Sequence, residues 1–122
     1  MPVTYTIDKE RQLVISRVLD PATEGEVLEH NRKLKTDPQF DPTYRQLADM
    51  TDVTELLVPT NTVRDTAYDQ AFAPGVRRAF VANKDGVFGM ARMYALHAES
   101  LGQVVEVFRD RAEAVEWLGL DD

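Results

Sequence analysis

The stretch RRAFVANKDGVFGMARMYALHAESLGQVVEVFRDRAEAVEWL, Arg77 to Leu118, reads strand, helix, strand, helix with short connections. Ala79-Phe80-Val81-Ala82 is an apolar run of buried-strand length, and the turn Asn83-Lys84-Asp85-Gly86 follows it. Val87, Met90, Ala91, Tyr94, Ala98 and Leu101 then keep the three- and four-residue steps of one helix face. Gly102 stands where a helix-terminating glycine belongs. Val104 to Phe108 is a second strand. Asp110 with Glu113 opens a short helix whose buried stripe is Ala114, Val115 and Leu118 and which carries the only tryptophan, Trp117, as core or rim packing. Strands alternating with helices specify a parallel βα sheet.

Toward the N-terminus, Val3, Tyr5 and Ile7 alternate with Thr4, Thr6 and Asp8, the period of a half-buried strand. After a polar turn at Asp8 to Gln12, Leu13-Val14-Ile15 with Val18-Leu19 makes a second strand, and the pair is expected to form an antiparallel hairpin. Asp20-Pro21 breaks it. Thr23 and Glu26 have capping-box spacing, and the helix they open places Val27, Asn31 and Leu34 on one face, ending by Pro38. Tyr44 to Met50 is expected as a strand, although Arg45, Gln46 and Asp49 make it the least apolar one. Leu56-Leu57-Val58 reads as a short turn packing inward. Val63, Ala67 and Ala71 form a short helix terminated by Pro74-Gly75. The expected order is β-β-α-β-α-β-α-β-α, an α/β fold in one domain over residues 1–122. Its central sheet is mixed and mostly parallel, with an N-terminal antiparallel hairpin and right-handed crossovers.

The net charge of −7, from 14 Lys and Arg against 21 Asp and Glu, opposes binding to a phosphate backbone or to anionic lipid. Arg77-Arg78 is the best candidate for a local basic patch, and it is only a pair. With no cysteine, thiol nucleophiles, thiolate metal sites and disulfides are excluded. Neither a secretory leader at Met1 to Tyr5 nor an apolar run of about 20 residues is visible, so a cytoplasmic protein without membrane insertion is expected.

Several segments carry a family resemblance. DPTYRQLADM at 41–50, RRAFV at 77–81, FGMARMY at 88–94 and VFRD at 107–110, with Ala114 and Trp117-Leu118, resemble bacterial SpoIIAA-like proteins of the STAS superfamily (sulfate transporter and anti-anti-sigma factor). The shape also resembles the CRAL-TRIO lipid-transfer domains. The resemblance spans nearly the whole chain and implies a sheet of about five strands with helices packed on it. It implies two uses: a regulatory module that binds a protein partner or itself as a homodimer, and a carrier for a small apolar ligand or lipid. In STAS domains a serine or threonine after a strand is phosphorylated, which makes Thr51 the candidate here. No glycine follows Thr51, and Asp52 would repel an added phosphate of about −1.5 to −2 charge.

The residues themselves supply no reactive constellation. His30 and His97 lie on different helices without ligand spacing and read as structural or solvent-exposed. Ser16 falls mid-strand and Ser100 late in a helix, neither on a nucleophile elbow. Asp85-Gly86-Val87-Phe88-Gly89 lacks the spacing of a phosphate-binding fingerprint; Gly86 suits a turn and Gly89 a close-packing position. No catalytic residue, cofactor or metal is therefore assigned. If the strands are parallel, Asp49, Thr51, Asn83 and Arg109 share the carboxyl edge of the sheet, where α/β folds place ligands. With Arg92 on the third long helix they form a candidate partner or ligand surface; the alternative is that they cap turns and helices. Phe88 and Met93 fall off the main helical stripe and suggest an outer apolar patch suited to a dimer or a lipid-like ligand.

Overall fold

A computed structural model describes residues 3–120. The elements in chain order are β1 (Val3–Asp8), β2 (Leu13–Leu19), β3 (Ala22–Thr23), α1 (Glu24–Thr36), β4 (Arg45–Asp52), β5 (Leu56–Leu57), α2 (Thr60–Tyr68), β6 (Arg77–Val81), α3 (Asp85–Glu99), β7 (Val104–Phe108) and α4 (Arg111–Trp117). A five-stranded sheet has the order β1-β2-β4-β6-β7. The β1–β2 pair is an antiparallel hairpin, and β2–β4, β4–β6 and β6–β7 are parallel, so the expected architecture is observed. Gln12 closes the hairpin in the left-handed region at φ 53°, and its carbonyl accepts from the Arg45 backbone N–H at the start of β4.

Because strand side chains alternate, each sheet face is read from every second residue. Odd-numbered residues Leu13, Leu47, Ala79 and Val81 pack with Ala114, Val115 and Leu118 of the C-terminal segment into one apolar core. Even-numbered residues turn toward α1, α2 and α3: Val18 and Met50 join Ala82, Val87 and Ala91, while Val14 packs with Leu34 and Phe72.

Local details depart from expectation in several places. Gly86, expected in a turn, lies in the first turn of α3, and Leu101, expected on the α3 stripe, follows the end of that helix and is exposed. Thr23 occupies the N-cap of α1 but makes no side-chain cap bond, because it also belongs to β3, where it pairs with Leu57. Leu56-Leu57 is therefore a strand and not a turn. The second helix ends at Tyr68, before Ala71, with the Asp69 N–H turning back onto the Asp65 and Thr66 carbonyls; leaving the helix there lets Phe72 enter the core edge-on to Phe40, 5.2 Å between centroids. Gly89 faces open space, so no close approach requires it. The cap on α4 is as expected: the Asp110 carboxylate accepts from the Ala112 N–H at 2.9 Å. Gly102 has φ +79°, the left-handed conformation that suits a helix end.

Candidate functional site

The even face of the sheet carries a polar stripe where an apolar face is expected. Ser16 on β2, Gln46 on β4 and Arg78 on β6 are all buried, and Gln46 and Arg78 are directly paired across the strands. They form one side of a cavity of about 110 Å³. The opposite side comes from α1 (Val27, His30, Asn31), α2 (Val63, Thr66) and α3 (Met90, Ala91, Tyr94). Apart from these polar groups the wall is apolar, with Val18, Met50, Val58 and Phe80 prominent. Val27, Asn31, Leu56 and Met90 are only half-buried.

Arg78 organises the stripe. Its guanidinium donates to Gln46 Oε1 (3.0 Å), Gln70 Oε1 (2.7 Å), Gln103 Oε1 (3.2 Å) and the Tyr94 hydroxyl (2.8 Å). It also lies 4.4 Å from the centroid of the Phe72 ring, 5.5 Å from that of Tyr94 and 5.7 Å from that of Phe80, within range of cation–π attraction. Gln103 is held in turn, its amide donating to the Phe72 carbonyl at 3.1 Å. Tyr94 is half-buried on the apolar stripe as the sequence suggests, but its hydroxyl is bound inward.

The direction of each bond follows from the Arg78 end. Since Gln46 Oε1 accepts from Arg78, its amide nitrogen faces Ser16 and donates to Oγ at 3.0 Å. The Ser16 hydroxyl is then free to donate to His30 Nε2 at 3.0 Å, and His30 Nδ1–H donates to Asn31 Oδ1 at 3.1 Å. Burial pushes the His30 pKa down, the Asn31 bond opposes this, and the nearby Arg78 charge lowers it further, so the imidazole is neutral as this chain of donors requires. Ser16, His30 and Asn31 share the bonding order of a nucleophilic triad, but Ser16 lies in the middle of β2 and already accepts from Gln46. Beside the cavity the Tyr5 ring meets His30 edge-on at 5.5 Å and its hydroxyl donates to Asp37 at 2.7 Å. Burial, with the Asp37 carboxylate, pushes the Tyr5 phenol up to about 12.

The residues expected at the carboxyl edge do not line this cavity: Asp49 and Thr51 are in the last residues of β4, Asn83 follows β6 and Arg109 follows β7. Asp49 Oδ1 accepts from the Thr51 N–H (2.9 Å) and hydroxyl (2.6 Å), a turn-capping arrangement. Asn83 Oδ1 accepts from Lys84 Nζ at 3.3 Å, and the same ammonium donates to the Thr51 carbonyl at 3.0 Å. Arg109 donates to Asp85 at 2.9 Å and lies 4.1 Å from the centroid of Phe88, whose other neighbour is Arg92 at 6.0 Å. The edge thus brings Asp49, Thr51 and Asn83 together and links Arg92 to Arg109 through one aromatic ring. Phe88 and Met93 are half-buried.

The cavity residues escaped the sequence reading, although their signal was present. Arg77-Arg78 looked like one basic pair, yet the two side chains point to opposite faces. Arg77 is exposed, donating to the Trp117 carbonyl at 2.6 Å with its guanidinium 5.2 Å from the centroid of that ring, which also packs on Phe108. The signal was a polar residue, Ser16, Gln46 or Arg78, inside each of three strands; that the three share one face follows from the strand register, which local periodicity does not supply.

Comparisons with models of known families, with curated proteins and with solved structures give no match. Among the described residues no helix is long and apolar enough to cross a membrane, and no group of three or more His, Cys, Asp or Glu is placed to hold a metal ion. Met1 and Pro2, which entered the expectation of no leader, lie outside the described residues.

Proposed function

We propose that this chain is a non-catalytic, STAS-like binding module of the cytoplasm whose cavity receives one small, largely apolar molecule. The observation that carries this reading is the mostly apolar cavity of about 110 Å³ between the sheet and α1, α2 and α3. Natural cores leave few voids larger than a water molecule, and an apolar cavity of about 150 Å³ suffices to bind benzene. A space somewhat smaller suits a short acyl chain, and the half-buried rim at Val27, Asn31, Leu56 and Met90 leaves the cavity open to a slightly larger body such as a single ring. Occupancy would be reported to a protein partner through the carboxyl-edge surface of Asp49, Thr51, Asn83, Arg92 and Arg109, with Thr51 as the candidate phosphate acceptor.

A second reading, homodimerisation, is favoured by a different observation. Tyr68, Leu96, Leu101 and Val104 are exposed apolar side chains at the ends of α2 and α3 and on the edge strand β7, with Leu96 at 65% exposure. Unpaired edges and exposed apolar groups favour self-association.

The test is the mass of the protein purified from its own cells, before and after denaturation. A small extra mass lost on denaturation supports the carrier, and a mass that halves supports the dimer. An increment of one phosphate that survives denaturation and maps to Thr51 supports the switch. A bare monomer that also takes up no short-chain acid, amide or alcohol overturns the carrier and dimer readings together.

A further inference from the structure

We infer that the cavity's ligand is an anion with an apolar body, a small monocarboxylic acid whose carboxylate is held by Arg78; this rests on the carrier reading above. Arg78 is 4% exposed, and every acceptor around it is neutral: three glutamine carbonyl oxygens and one phenol. Among the described residues no acidic side chain lines the cavity. Arg11, Arg17, Arg32 and Arg109 each sit on a carboxylate at the surface, and Arg45 and Arg77, which also donate to neutral oxygens, are not buried; Arg78 combines neutral partners with burial. A buried charge is costly unless a counter-charge is near. Amide dipoles and aromatic faces offset part of that cost and leave the positive charge itself uncompensated.

A guanidinium carries five N–H donors in a planar fork. Four hydrogen bonds are assigned to protein oxygens, with a single one on Nη2, which leaves an Nη2 donor for a further acceptor. A carboxylate supplies the missing counter-charge and accepts a charge-assisted hydrogen bond from that one remaining N–H. One arginine in a cavity of this size suits a monoanion, and Val18, Met50, Val63, Phe80 and Met90 provide an apolar wall for the rest of the molecule.

The experiment titrates the whole protein with benzoate and hexanoate, and in parallel with benzamide and hexanamide, by calorimetry at neutral pH. The acids are expected to bind at least tenfold more tightly than the amides, and the NMR resonance of the Arg78 Nε–Hε group is expected to move on adding benzoate. The variant Arg78→Met is expected to lose the preference for the acid. If that variant does not fold, the wild-type resonance and the acid-to-amide ratio decide alone. Equal affinity for acid and amide overturns the anion while leaving the carrier intact. Binding by none of the four probes also overturns the anion, and the carrier is then judged separately by the native mass measurement.

Discussion

The two faces of the sheet are made by the same strands, one residue apart, and they are packed by different rules. On the odd face Leu13, Leu47, Ala79 and Val81 meet α4 in a core of aliphatic side chains. On the even face Ser16, Gln46 and Arg78 interrupt the apolar surface, and a cavity opens in front of them. The odd face gains its stability from removing apolar area from water, a term that tolerates no gap. The even face gives up part of that term, holds a cation in place with directed hydrogen bonds, and leaves room beside it. Room for a ligand is made by this kind of local sacrifice, and the apolar core behind it packs against the same strands.

The comparison is broken most directly by one substitution on each face. Leu47→Ala is expected to cost about 2–5 kcal/mol, because it opens a cavity in a fully packed site. Arg78→Met is expected to cost less, about 1–3 kcal/mol: the glutamine oxygens lose their donor, but the desolvated charge disappears with it. Denaturant unfolding of both variants measures the order. If Arg78→Met proves the more damaging, the even face is a structural core and the contrast fails.

A smaller effect separates the helices. Asp110→Ala removes the bond to the Ala112 N–H and is expected to lower stability by about 0.5–2 kcal/mol. Thr23→Ala removes no side-chain cap bond and is expected to cost less. Thermal melts of the pair would show it, and equal losses would mean that the extended backbone of β3 does not substitute for a cap.

The smallest effect concerns the buried histidine of the even face. Its folded pKa lies below its unfolded value of about 6.5, so the fold favours the neutral ring. Its contribution to stability is full above about pH 6.5 and is lost as pH falls through the folded value. His30→Gln should remove that part of the pH dependence between neutral and mildly acidic conditions. An unchanged profile would mean that the ring takes up its proton without disturbing Ser16 and Asn31.

How much of this was legible in the residues differs from element to element. The strand at Val104-Val105-Glu106-Val107-Phe108, the stripe of α3 as far as Ala98, the Asp110 cap and the hairpin all follow from local periodicity and turn chemistry, which act within a few residues. Thr23 and Ala71 went astray because tertiary contacts overrode local propensity: one was drawn into the β3–β5 ladder, and the chain around the other left the helix to bury Phe72. Asp49, Thr51 and Asn83 lie at the carboxyl ends of parallel strands, a position that follows from the alternation of strands and helices.

The sequence by itself determined the α/β class, the order of the main elements, the exclusion of thiol chemistry and the alternation within the first strand. Only the tertiary structure decided that Ser16, Gln46 and Arg78 stand in one row, and that His30 of α1 and Tyr94 of α3 close over it. The physical reason is range. Periodicity reports which way one side chain points, whereas a site joins residues from five elements, and their register is set by packing across the whole sheet.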